Sequence, residues 1–73
     1  MSLLYDRYAD SLFGVVSRIL GDDQIAEDIL QKTMLKIWNG IDEFDPSKAS
    51  FFTWMSVIAR NTALDQKRLK TFQ

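Results

Sequence analysis

Cysteine and histidine are both missing from these 73 residues. Without cysteine there is neither a disulfide framework nor a thiolate metal site. Without histidine the chain loses the commonest general base and the commonest metal ligand together. Catalysis would have to rest on carboxylates, lysine or hydroxyls, and no glycine-rich phosphate loop accompanies them. No catalytic residue, metal site or cofactor is therefore assigned. Turn formers are scarce too, with one proline and three glycines, which favours few, long elements. No apolar run approaches the length of about 18 residues that a membrane span needs. The N-terminus also lacks the basic-then-apolar order of a signal peptide, so the expected location is cytoplasmic.

Apolar side chains are plentiful, at 47%, enough for one small core, and residues 1–73 are read as a single domain. A chain this short buries only about 60% of the surface its unfolded form exposes, so modest stability is expected. The formal net charge of −1 conceals a division. Met1 to Asp45 holds nine acids against four bases, a net of −5, whereas Pro46 onward holds five bases against Asp65 alone, a net of +4. Such asymmetry implies a polyanion at one end and a basic or neutral partner at the other.

The periodicity is helical throughout, and the expected fold is all-α, a compact bundle of three helices over about 2–20, 23–39 and 50–70. Ser2 is placed to cap the first, which turns Leu4, Tyr8, Leu12, Val15, Val16 and Ile19 inward and Asp6, Asp10, Ser11 and Arg18 outward. Gly21 stands where a left-handed cap is wanted. Asp22 and Asp23 then open the second helix, whose inward stripe is Ala26, Ile29, Leu30, Thr33, Met34, Ile37 and Trp38, with Gly40 as its stop. So short a link packs these two helices antiparallel. Residues 41–49 read as an ordered loop, anchored by Ile41 and Phe44 and turned at Asp45-Pro46. The third helix turns Phe51, Trp54, Met55, Ile58 and Thr62 inward.

Two surfaces carry chemistry. Arg60, Asn61, Leu64, Asp65, Lys67 and Arg68 recur at spacings of three, four and seven, an outward strip of cations beside a hydrogen-bonding amide. Cations neutralise phosphates, and amides and hydroxyls read base edges. Asp65, four residues after Asn61, stands to orient that amide or to accept from a base amino group. The bland alternative is a solvated helix face whose lysines complement the helix dipole. The loop Asp45, Pro46, Ser47, Lys48, Ala49 and Ser50 brings hydroxyls, backbone amides and a lysine beside aromatics, material for holding an unstacked base, or else it is an ordinary connection. On the second helix Glu27, Gln31, Lys32, Leu35 and Lys36 face outward, and Leu35 there points to a partner helix. Glu27 and Asp28, adjacent on a helix, diverge too far to chelate a cation.

The order of the pieces is more telling than any one of them. Ala26-Glu27-Asp28-Ile29-Leu30-Gln31, Leu35-Lys36-Ile37-Trp38, Phe44-Asp45-Pro46, Phe52-Thr53-Trp54, Ile58-Ala59-Arg60-Asn61 and Leu64-Asp65 together closely resemble region 2 of bacterial sigma factors of the sigma-70 family. The small extracytoplasmic-function (ECF) type, with its short loop before the third helix, is the nearest match. The likeness covers almost the whole chain, from Leu4-Tyr5-Asp6-Arg7-Tyr8 onward.

The resemblance implies a non-enzymatic transcription initiation domain. The second helix would dock on the β′ clamp helices of core RNA polymerase through Glu27, Asp28, Gln31, Leu35 and Lys36. Asp45, Pro46, Ser47, Lys48, Ala49 and Ser50 would hold a flipped base of the promoter −10 element on the non-template strand. Arg60, Asn61, Asp65, Lys67 and Arg68 would lie at the upstream edge of that element, with Asn61 reading bases directly. An anti-sigma factor is a further partner this type of domain meets. Housekeeping members place two tryptophans in the third helix as a melting wedge; Val57 and Ile58 stand there, a smaller wedge that stacks less well on a base pair. A working ECF factor also carries a region 4, absent before the chain stops, so the chain reads as an isolated region 2. The rival readings are a helical interaction module or sigma-like decoy that never touches DNA, and a small helical enzyme using Glu27 or Asp28.

Overall fold

A computed structural model describes residues 2–72, and the side-chain surroundings of residues 8–69. Among the described residues it contains three helices, α1 (Ser2–Leu20), α2 (Asp23–Asn39) and α3 (Phe51–Phe72), with a 3-10 turn at Ile41–Glu43. Each helix packs against the other two. The expected boundaries are matched at α1 and α2, and α3 begins one residue later than expected. The Ser2 cap and the side chains of Leu4, Asp6 and the Leu4-to-Arg7 opening lie outside the described residues.

Local chemistry explains each boundary. Gly21 ends α1 at φ +69, a left-handed conformation that costs any residue with a Cβ about 1–2 kcal/mol, and its amide donates to Ser17 O at 2.8 Å. Asp22 caps α2: its Oδ1 accepts from the Gln24 and Ile25 amides at 2.9 and 3.2 Å, satisfying donors that the first turn leaves free. Asp23 is the first helical residue. Gly40 does stop α2, but at φ −101. Its requirement is space, since a Cβ there would lie 3.2 Å from Lys36 O and 3.7 Å from the Trp54 ring. Ser50 caps α3, accepting the Thr53 amide at 3.2 Å while its hydroxyl donates to Thr53 Oγ1 at 2.9 Å.

The core is built from Leu12 and Val16 of α1, Ala26, Ile29, Leu30, Met34 and Ile37 of α2, and Met55, Ala59 and Ala63 of α3. Small residues on α3 let the other two helices approach it closely. Thr33 and Thr62 are buried as well, and each hydroxyl donates to the carbonyl one turn back, Ile29 O at 2.8 Å and Ile58 O at 2.7 Å, so neither is left unpaired. Two inward assignments fail. Trp38 is 51% exposed and Ile41 38%. Leu30, Met34 and Ile37 already fill the α2 stripe, so Trp38 falls at its outer edge. Phe44 does anchor the loop, packed edge-on against Phe51 at 5.1 Å and beside Trp54 at 5.3 Å.

Candidate nucleic-acid interface and docking face

The segment after Phe44 is shaped by its own side chains. Asp45 Oδ1 accepts from both the amide and the hydroxyl of Ser47, at 2.9 and 2.6 Å, and the Lys48 amide closes the turn on Asp45 O at 3.1 Å. The bond from the Ser47 hydroxyl, and then that from its amide, hold the Asp45 carboxyl below its usual range. A lowered pKa means the charged form supports the turn above the usual carboxylate range, with that support lost on acidification through the lowered value. Asp45, Pro46, Ser47, Lys48 and Ser50 are exposed and Ala49 is half-buried, so the loop is open to a ligand.

On α3, Arg60, Asn61, Asp65, Lys67 and Arg68 are all exposed, but they do not form one strip. Neighbouring helical residues diverge by about 100°. Arg60 belongs to a row that faces Val15 of α1 across a groove, while Asn61, Asp65 and Arg68 form a second row. Asp65 does not orient Asn61; it pairs with Arg68, Oδ1 to guanidinium, at 3.2 Å. Exposed as both are, that pair contributes little stability. The Asn61 amide has no side-chain partner among the described residues and is left for an external one. Of the two wedge positions, Val57 is 51% exposed whereas Ile58 packs against the core.

On α2, Glu27, Asp28, Gln31 and Leu35 share an outward face, and Trp38, which the stripe reading had turned inward, joins them there. Leu35 at 57% exposure and Trp38 at 51% make that face amphipathic rather than merely acidic. Its α1 edge is concave: Ala9, Asp10, Phe13, Glu27, Leu30 and Gln31 line a notch of about 360 Å³. Asp10 was legible only as part of a polar face, because its nearness to Glu27 is set by how α1 crosses α2.

Lys36 is exposed like the rest of this set but also reaches α3. Its ammonium turns across the seam and donates to Thr62 Oγ1 of α3 at 3.3 Å, extending the chain that runs from Thr62 to Ile58 O. We expect Lys36→Met and Thr62→Val to be non-additive, with a coupling of about 0.5 kcal/mol after allowance for the exposed lysine. A double-mutant cycle by urea denaturation measures it. Strict additivity would mean that the Lys36 to Thr62 contact adds nothing to the fold.

Among the described residues, no group of three or more acids is gathered as a metal site, and no helix is long and apolar enough to cross a membrane.

These elements compose an all-helical module, with an acidic, amphipathic helix on one side and a cation-bearing helix beside a hydroxyl-rich turn on another. The family model for sigma-70 region 2 matches residues 4–72, and the chain belongs to that family. It is similar to the ECF RNA polymerase sigma factor SigK of Mycobacterium tuberculosis (strain ATCC 25618 / H37Rv) and of Mycobacterium bovis (strain BCG / Pasteur 1173P2), each 33% identical over 64 residues. The aligned part is 88% of this chain and 34% of those proteins. SigK of Mycobacterium sp. (strain KMS) is 32% identical over 65 residues, 89% of this chain and 34% of its own. The domain is thus a region 2 of the ECF type, and it spans about a third of the length of these curated relatives. No solved structure matches the chain.

Proposed function

We propose that this domain acts in transcription initiation, docking on the β′ clamp helices of core RNA polymerase through α2 and recognising and melting the promoter −10 element through α3 and the 45–50 loop. The observation that carries this reading is the separation of the two faces. Glu27, Asp28, Gln31, Leu35 and Trp38 lie on α2, and Arg60, Asn61, Lys67 and Arg68 lie exposed on α3, so two macromolecules meet the domain without competing. An acidic face with apolar anchors suits a basic coiled coil, and the notch beside Asp10 suits a basic side chain. Strand separation on this reading is driven by binding: phosphate neutralisation and capture of a base out of the stack, with no covalent step. Val57 is then the wedge residue, a weaker one than tryptophan, so opening depends on a well-matched promoter. Polymerase and promoter together place this work in the cytoplasm.

Asn61→Ala tests the DNA half. Its amide is expected to contribute about 1–3 kcal/mol of base discrimination, so the variant binds matched and mismatched −10 duplexes more nearly alike while its affinity for core polymerase holds. An unchanged discrimination ratio would remove Asn61 from the reading. Absence of any salt-sensitive DNA binding by the parent chain would favour the decoy alternative.

A further inference from the structure

The chain has two asparagines, Asn39 and Asn61, and the residue after each decides its chemistry. An asparagine side chain is an electrophile within reach of the next residue's amide nitrogen, which can attack Cγ and close a five-membered imide. Bulk on that next residue and the fold itself keep the nitrogen away. After Asn61 comes Thr62, β-branched and buried inside α3, so its nitrogen is both crowded and tied into the helix. After Asn39 comes Gly40, which has no Cβ to crowd an attack.

The fold selects that glycine for space, with Lys36 O and the Trp54 ring 3.2 and 3.7 Å from where a Cβ would stand. The same requirement leaves the Gly40 nitrogen unshielded. Asn39 is exposed and is the last residue of α2, and its amide has no side-chain partner among the described residues. Gly40 is held on both sides: its amide donates to Lys36 O at 2.9 Å, and its carbonyl accepts from the Glu43 amide at 2.9 Å. While the first of these bonds lasts, the nitrogen keeps its proton and its peptide plane is fixed. Helix ends are where such bonds open most readily.

We propose that Asn39-Gly40 is a site of spontaneous deamidation, gated by opening of the last turn of α2. The Gly40 nitrogen gives its proton to solvent base and bonds to Asn39 Cγ; the Cγ–Nδ2 bond breaks and ammonia leaves, giving a succinimide. Water then adds to one of the two imide carbonyls. Opening at Cγ restores the main chain with aspartate at 39. Opening at the former main-chain carbonyl routes the chain through Cγ as isoaspartate, one backbone carbon longer. Either product sets a carboxylate at the negative end of the α2 dipole, where it is unfavourable. Isoaspartate also lengthens the chain where Gly40 already has no room for a Cβ. That joint connects Trp38 to the turn that carries Phe44, so conversion loosens the link between α2 and the loop. It holds whether or not the docking and promoter readings do.

The test incubates the chain in mildly alkaline buffer, folded or unfolded in urea. Tryptic peptides are then read by mass for the change from amide to acid, and with an isoaspartyl methyltransferase for isoaspartate. Asn39 is expected to convert, with isoaspartate in excess of aspartate, while Asn61 stays intact. The folded chain should convert about tenfold more slowly than the unfolded one, a factor set by how often the end of α2 opens. Gly40→Ala should slow conversion even in urea, where packing plays no part. The converted chain should melt below Asn39→Asp, which carries the charge without the extra carbon. A folded chain that stays unconverted while the unfolded chain reacts would overturn the proposal, as would Asn61 reacting as fast as Asn39. Equal rates folded and unfolded would overturn the gate, and a converted chain as stable as Asn39→Asp would overturn the loosened joint.

Discussion

Leu12→Ala is expected to leave most of the chain unfolded at 37 °C. Leu12 is fully buried on α1, and the Val16 turn below it and the Met55 and Ile37 side chains belong to the same cluster. Truncating such a leucine removes its transfer free energy and leaves a cavity, together about 2–5 kcal/mol. A domain of this size has about 3–5 kcal/mol to lose. No disulfide or described metal cluster shares the burden. Thermal and urea unfolding followed by far-UV circular dichroism measure the loss. A shift below about 1 kcal/mol would mean that the three helices draw their stability from elsewhere than this cluster.

Glu27→Lys combined with Asp28→Lys is expected to weaken association with core polymerase by about ten- to a hundredfold, with folding intact. Both carboxylates are exposed, so neither supports the core, and reversing them turns attraction to a basic coiled coil into like-charge repulsion, which costs several kcal/mol at a close interface and less at its rim. The loss should be largest at low ionic strength and shrink as salt screens it. Lys36→Met, whose ammonium is directed at Thr62, should leave the same affinity nearly unchanged. Single-strand binding should persist in the reversed variant, since α3 and the loop are untouched. Equal polymerase affinity for parent and double-lysine chains, read by competition with a labelled sigma factor, would move the docking face off α2.

Most of the fold could be read from spacing because each helix has a single dominant apolar stripe and its ends are marked by residues with one strong local preference. Asp22 and Ser50 cap through their own side chains, and Gly21 adopts the positive φ that glycine tolerates. What spacing does not encode is which edge of a stripe a neighbouring helix covers. Trp38 sits at such an edge and was misplaced inward; Lys36 sits at the other, exposed as read but within reach of Thr62. The same blindness hid the α1 contribution to both concave features, Asp10 beside Glu27 and Val15 opposite Ser56. The outward strip of α3 was legible as composition, but its division into an Arg60 row and an Asn61 row follows from rotation per residue and from the Asp65 to Arg68 pair. No sequence signal distinguishes the unpaired Ser56 hydroxyl from that of Thr62, since both occupy helical positions with a carbonyl one turn back.

The turn at Asp45 to Lys48 is tied by bonds among its own members, with Phe44 as a pin that reaches the bundle. Segments built this way behave as a cassette: their residues can be exchanged wholesale provided the pin and the staple remain. Lineages diverging in what they recognise would then vary Pro46, Lys48 and Ala49 freely while retaining Phe44, Asp45 and Ser47. A transplant of six residues between two such domains should carry its preference along without remodelling the scaffold that receives it.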